Sequence, residues 1–264
     1  MSLQGFWADL KTTEFQALPT DLVTVLPIGA IEQHGPHLPL SVDRDLVQSV
    51  IERTMSRLTA DQNVLILPTL SVTKSDEHDQ YPGTLSLTAE TLLAVLRDIG
   101  ASVSNAGVSR LVLFNGHGGN NAVLEIIARD LRIKHQMIVS TCSWFGFAEV
   151  PEEMNDPLLA FDLHAGKLET SAMLAARPEL VDMSAAQDFV PAMSGWKDSF
   201  QAIGLTGQPG KPGWIIEDLN EMGACGNAQA ATVRNGEKLL NSAAEQFAIY
   251  LEEFSRFDHR GSHT

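Results

Sequence analysis

Four apolar runs of strand length, Leu22–Ile28, Asn63–Leu70, Arg110–Asn115 and Met137–Thr141, are each separated from the next by a stretch with helical spacing. Strands that alternate with helices in this way predict right-handed crossovers and a mostly parallel sheet. Near-continuous apolar strands are also what a sheet covered on both faces requires. The intervening stretches are Arg44–Leu58, Thr88–Asn105 and Asn121–Lys134, the last with Val123, Leu124, Ile126, Ile127 and Leu131 as its apolar set. Apolar residues three and four apart make one buried stripe on a helix. The expected fold class is α/β, a layered fold with helices flanking a mostly parallel central sheet.

Outside that core, Phe6–Leu18 predicts a short helix anchored by Phe6, Trp7, Leu10 and Phe15. Leu168–Ala176 predicts a second short helix, and Gln229–Phe254 a long closing one. Residues 150–165 read as irregular. Residues 187–214, rich in Gly and Pro, read as a surface excursion, either a lid or an oligomer contact. With 264 residues, 44% of them hydrophobic, the chain can bury one large core. No internal repeat or low-complexity linker divides it, so residues 1–264 are expected to form one domain.

The formal net charge of −15 argues against nucleic acid or an anionic membrane as partner and leaves a small molecule. The two cysteines, Cys142 and Cys225, form no CxxC pair and are too few for a disulfide framework. A reducing, cytoplasmic setting is expected. No apolar run is long enough for a membrane span, and the N-terminus lacks the order of a signal peptide.

Parallel sheets place their sites at the carboxyl ends of strands. The first strand runs into Ile28-Gly-Ala-Ile-Glu-Gln-His-Gly-Pro-His-Leu-Pro-Leu-Ser-Val-Asp43. In extended backbone Glu32 and His34 share one face. Asp43 follows nine residues after His34, just ahead of a helical pattern, and Gly35, Pro36 and Pro39 exclude helix between them. Imidazole with carboxylates on one tight loop suits a divalent metal such as Zn or Mn. The third strand runs into Asn115-Gly-His-Gly-Gly-Asn120, where glycines let the backbone approach a ligand and His117 joins the same sheet edge. The loop lacks the G-x-G-x-x-G spacing of a phosphate cradle.

A third cluster is His164-Ala-Gly-Lys-Leu-Glu-Thr-Ser171. A histidine beside a metal site can shuttle protons. Glu169 is equally well read as a carboxylate placed by the dipole of its helix. Ser75, Glu77 and His78, with Tyr81–Thr84, read as a solvated loop that could line the same cleft. His135, His259 and His263 read as exposed. The chain holds no G-x-S-x-G elbow and no H-E-x-x-H helix.

Together these motifs resemble the creatininase (creatinine amidohydrolase) family. The resemblance rests on Glu32-Gln-His-Gly-Pro-His-Leu-Pro-Leu-x-x-Asp43, Ser75-x-Glu-His78, Pro82-Gly-Thr-Leu-Ser-Leu87, Asn115-Gly-His-Gly-Gly-Asn120 and His164-Ala-Gly-x-x-Glu-Thr-Ser171. The segment Gly223-x-x-Gly-Asn-x-x-x-Ala-Thr232 is similar to the family's closing motif, with Asn227 where Asp is usual. The resemblance implies a creatininase-like fold, two divalent ions per chain (Zn and/or Mn, with Fe as a further candidate) and a homohexamer. It implies Glu32 and His117 on one metal, His34 on the other, Asp43 bridging both and His164 handling protons. It further implies that a metal-activated hydroxide hydrolyses a small cyclic or linear amide. Creatininase itself carries Tyr-Glu after the motif histidine, and that Glu is a metal ligand; Gly118 and Gly119 stand there in this chain. The second metal therefore needs another carboxylate. Glu169 is the first candidate, as ligand and as part of the catalytic set, and Glu77 the second. Ser75, Glu77, His78, Gly118 and Gly119 are expected at the substrate. Hydrolysis of another carbonyl compound, such as a cyclic sugar ketone, or a metal-binding module without catalysis, stays open beside the amide reading.

Overall fold

The computed structural model describes residues 2–154 and 157–259; His263 lies outside them. The central sheet has five strands in the order β1 (Gln4–Phe6), β3 (Val64–Ile66), β2 (Val23–Ile28), β4 (Arg110–Asn115), β5 (Ile138–Ser143), and every pairing in it is parallel. Along the helical path run α1 (Val42–Met55), α2 (Ala89–Asn105), α3 (Asn121–His135), the single turns α4 (Trp144–Phe147), α6 (Trp196–Ser199) and α7 (Ile216–Leu219), α5 (Lys167–Ala176) and the long α8 (Val233–Arg256). A two-stranded antiparallel pair, β6 (Asp188–Phe189) with β7 (Gly226–Asn227), stands apart from the main sheet.

Strand alternation sorts the core into two halves. Val23, Val25, Val112 and Phe114 join one cluster with α1, α5 and α8, where Phe114 stacks on Phe247 at 4.0 Å between ring centres. Leu22, Leu26, Ile28, Leu111 and Leu113 join the other with α2 and α3. The predicted layered α/β class is the observed one. Chain order runs outward from β2 to β3, then back across to β4 and β5, so the direction reverses between β2 and β4. The crevice at such a reversal, outside the carboxyl ends of the strands, is where open α/β sheets bind ligands.

Several expected boundaries move. Phe6–Leu18 is no helix: its start is the edge strand β1 and the rest is 3-10 turns, with Trp7, Leu10 and Phe15 packed on the α2/α3 side and Phe6 exposed. Apolar anchoring on a short segment does not distinguish an edge strand from a helix, and the edge pairing with β3 decided it. The second strand is only Val64–Ile66, because Pro68 cannot donate to a ladder. Ile126 faces solvent at 45% exposure, and the apolar stripe of α3 is narrower than its sequence suggests. His135 is half-buried and His259 exposed. The closing helix starts at Val233, capped by the Thr232 hydroxyl, after a 3-10 turn over Ala228–Ala230. Within 187–214, Phe189 is buried, and Trp196 and Trp214 pack against Ile216, Leu219 and Cys225, while Val190 and Phe200 are exposed. No helix of the described residues is long and apolar enough to cross a membrane.

Candidate metal centre

Three loops and one helix start converge at the reversal between β2 and β4. Two glycines make the convergence possible. A Cβ at Gly29, just past β2, would stand 2.6 Å from the Arg44 backbone, and one at Gly116, just past β4, would stand 2.7 Å from the Asp43 carbonyl. The first turn of α1 thus rests directly on both strand ends. Asp43 lies inside that turn rather than ahead of it, where the helix dipole favours its negative charge. The loop between β2 and α1 turns back at Gly35, whose φ is +65°. Asn115 closes the other loop: its Nδ2 donates to the His117 carbonyl at 2.6 Å, and its Oδ1 accepts from the His117 N–H at 3.2 Å and from Asn120 Nδ2 at 3.3 Å.

Glu32, His34, Asp43, His117, His164 and Glu169 are all buried here, each at 7% exposure or less. Glu32 Oε2 and Asp43 Oδ2 lie 3.2 and 3.3 Å from His117 Nδ1. Asp43 Oδ1 lies 3.4 Å from His34 Nε2, and Glu169 Oε2 lies 3.9 Å from the same nitrogen. The two oxygens of Asp43 therefore face two different imidazoles.

The proton positions follow from the outer nitrogens. His34 Nδ1 donates to the Glu32 carbonyl at 3.1 Å, and His117 Nε2 donates to the Lys74 carbonyl at 2.9 Å. In the neutral rings, His34 Nε2 and His117 Nδ1 then turn lone pairs toward carboxylates. Lone pairs facing anions need a cation between them. Without one, a proton fills the gap: burial pushes the His34 pKa down, but Asp43, Glu169 and Glu32 outweigh it and raise it to about 9. His117 is likewise raised by Glu32, Asp43 and Glu77 against its burial. Burial, with Asp43 nearby, lifts Glu169 to about 7, and His34 opposes it.

Among the described residues, both oxygens of Glu32, His34 Nε2 and Asp43 Oδ2 are buried with no hydrogen-bond partner. Such orphaned atoms are costly unless something binds them. Among the described residues, three groups bring donor atoms within 4.8 Å of one another: Glu32 with Asp43 and His117, His34 with Asp43 and Glu169, and Glu32 with His34 and His164. Nitrogen and carboxylate donors in threes fit a Zn- or Mn-type ion with open positions.

The other expected residues fall into distinct places. His164 lies between the rings of His34 and His78, at 4.1 and 4.4 Å, and burial with those neighbours holds its pKa well below the ordinary range. Ser75 and His78 are buried, against the solvated-loop reading, because the segment folds back under the cluster and His78 Nε2 reaches 3.4 Å from Glu32 Oε1. Glu77 is not in any of the three donor groups. Its Oε1 lies 3.5 Å from His117 Nε2, on the outer side of that ring, and its Oε2 pairs with Lys74 at 2.8 Å. A Cβ at Gly119 would stand 2.0 Å from Glu77 Oε1 and 2.4 Å from His117 Nε2. Gly119 thus leaves the room that Glu77 and the His117 ring occupy. Glu169 does more than cap its helix: Oε2 accepts from the Ala165 N–H at 2.5 Å while facing His34. His37 turns away from the cluster to Thr170 at 2.8 Å, and burial holds its pKa down, at about 4.

A cleft of about 440 Å³ opens over the cluster, and its lining includes Asp43, His117, Gly118, His164 and Glu169. Gly118 lines it, while Ser75, Glu77, His78 and Gly119 do not. Its outer wall includes Asn121, Ser143, Phe145, Asp162 and Leu168, none of which the motifs pointed to. Ser143 ends β5 and Phe145 follows it, so the sheet-edge rule alone would have found them.

The sequence matches the family described as creatinine amidohydrolase over residues 8–251. It is 34% identical to the creatinine amidohydrolase of Pseudomonas putida over 73% of this chain and 79% of that protein. It is 32% identical to a mycofactocin precursor peptide peptidase of Mycolicibacterium smegmatis over 78% of this chain and 82% of that one. Solved creatininase structures, a manganese form and a mutant of Zn–Zn type, superpose with TM-scores of 0.76 at 28% identity, covering 96–97% of this chain and 98–100% of theirs. Motifs, fold and matched span agree, and the chain belongs to the creatininase family of hydrolases.

Proposed function

We propose that the protein is a binuclear metal-dependent amidohydrolase that cleaves a C–N bond in a small cyclic or linear amide. The observation that carries this reading is Asp43, whose two buried oxygens serve two separate donor groups. Glu32, Asp43 and His117 would hold one divalent ion; His34, Asp43 and Glu169 would hold the other. Zn–Zn and Mn forms of the related creatininases support Zn or Mn as the metal. Bound there, such ions lower the pKa of water and polarise a carbonyl oxygen. The two relatives are named for a creatinine amidohydrolase and a peptidase activity, and both names describe hydrolysis of an amide C–N bond.

The chain's own residues supply the rest. His164 lines the cleft as a neutral imidazole with its Nδ1 toward the cluster, 3.7 Å from Glu32 Oε1. It is placed to accept the proton of the attacking water and pass it to the departing nitrogen. Backbone N–H groups of the Gly116–Gly119 loop are candidates to meet the oxyanion. Such an acidic chain with two free cysteines suits a cytoplasmic enzyme acting on a small molecule.

The test is turnover of a panel of cyclic and linear amides by protein loaded with Zn or Mn, beside the His164→Ala variant. Turnover on at least one amide is expected, with the variant slower by roughly 10²–10⁴-fold at unchanged metal content. A His164→Ala protein that loses metal in step with activity would make His164 a ligand instead. Absence of turnover on every amide would refute the amidohydrolase reading.

A further inference from the structure

Gln33 stands between the two motif residues Glu32 and His34, is 5% exposed, and makes contacts that the metal centre alone does not require. Its Oε1 accepts the Gly35 N–H at 2.9 Å, which identifies the oxygen end of the amide. Its Nε2 is therefore the donor, and it lies 2.8 Å from His78 Nδ1. That nitrogen must accept, so the neutral His78 ring carries its proton on Nε2, the atom 3.4 Å from Glu32 Oε1. The Gln33 backbone acts on a second ring: its carbonyl lies 2.8 Å from His164 Nε2. It fixes the His164 proton there and leaves Nδ1 bare toward Glu32. The fold reserves space for this amide, since a Cβ at Gly223 would stand 2.3 Å from Gln33 Oε1.

We propose that Gln33 is a positioning residue that locks the tautomers of both His78 and His164. Its side-chain nitrogen sets His78 at 2.8 Å; its backbone carbonyl, also at 2.8 Å, sets His164 and outweighs the 3.3 Å approach of that same side-chain nitrogen to His164 Nε2. With His78 turning an N–H toward Glu32 Oε1, the opposite oxygen, Oε2, stays directed at His117 and the first donor group. With His164 Nδ1 bare, the cleft has a proton acceptor from the start. Removing the amide frees His78 to take the other tautomer, which turns a lone pair instead of an N–H toward Glu32 Oε1. Outer partners of metal ligands are worth roughly 10–100-fold in affinity or activity. Only the rate effect rests on the amidohydrolase reading; the tautomers do not.

The experiment uses the full chain loaded with zinc and labelled with ¹⁵N-histidine, in the parent and in Gln33→Glu and Gln33→Met, with His78→Asn to assign the His78 signals. In the parent, His78 is expected to show a bare Nδ1 and a protonated Nε2, and His164 the same pattern. In Gln33→Glu the new carboxylate can only accept, so His78 Nδ1 takes up a proton. In Gln33→Met, similar in shape but without the amide, His78 shows a mixture. Both variants should lose roughly 10–100-fold in kcat, with little change in KM and unchanged zinc content. A His78 whose Nδ1 stays bare in Gln33→Glu, or that carries its proton on Nδ1 in the parent, overturns the proposal. If the tautomers move as expected while neither parent nor variant turns over any amide, the proposal stands and the amidohydrolase reading fails.

Discussion

At the scale of single residues, Asp43 and Glu169 separate the two proposed ions. Asp43→Asn should strip both, because its oxygens serve both donor groups. Glu169→Gln should take metal content from two ions per chain to about one and abolish turnover, with little change in fold. Metal analysis of proteins purified without chelators decides both; an Asp43→Asn protein retaining two ions, or a Glu169→Gln protein that only melts slightly earlier, refutes the assignment. The metal-free protein should also report its borrowed protons. The His34 pKa is raised from 6.5 to about 9, so the stability it contributes is complete below 6.5 and is lost as pH rises through about 9. Glu169, raised from 4.5 to about 7, pulls in the same direction at lower pH, between 4.5 and 7, below the His34 window. Thermal melts of the metal-free form should therefore fall between pH 6.5 and 9, by an amount on the order of 3 kcal/mol. Zinc, which takes the place of the proton, should flatten that slope, and a flat profile without metal would contradict the electrostatics argued for the cluster.

At the scale of elements, α5 carries Glu169, and its position depends on one glycine in α8. A Cβ at Gly236 would stand 1.8 Å from the Ser171 carbonyl oxygen and 2.9 Å from the Ala175 Cβ, so the two helices cross with their backbones nearly in contact. Gly236→Ala should gain a little helix propensity and lose more to overpacking, roughly 1–3 kcal/mol net. Because backbone must move, Glu169 should shift with α5 and the second ion should weaken. A lowered melting temperature with reduced zinc content is the expected pair of results; a variant as stable as the parent would show that the crossing relaxes freely. This contact also marks the limit of what the sequence reveals. Strand runs such as Arg110–Asn115 were legible to the residue, because a strand buried on both faces is apolar throughout. That Glu32, His34, Asp43 and His117 meet was legible because the loops that leave adjacent parallel strands lie side by side. The edge strand Gln4–Phe6, the burial of His78 and the role of Gln33 were not, since each depends on a long-range partner that local periodicity does not encode. Gly236 reads in sequence as a weak point in a helix; only the packing shows it as a crossing point.

At the scale of the whole molecule, the question is what covers the excursion after β6. Val190 is 62% exposed, Phe200 49%, Ile203 45%, Ile215 44% and Met222 47%, all in one span of chain whose inner side is held by Trp196 and Trp214 packing near the site. Apolar side chains gathered on irregular backbone are a poor surface for a monomer. A net charge of −15 works against self-association through long-range repulsion, so an assembly would have to be held by apolar burial. These two terms respond oppositely to salt: screening weakens the repulsion and leaves the burial intact. The expected state is therefore a homo-oligomer, a hexamer by family resemblance, that added salt tightens rather than dissolves. Light scattering at micromolar concentration should return several times the mass of one chain, unchanged or higher as salt is raised. Val190→Asp with Phe200→Asp should lower that mass while leaving zinc content intact, since neither residue belongs to a donor group. A single-chain mass for the parent at micromolar concentration would show that this surface faces water, and that the excursion serves the cleft rather than an assembly.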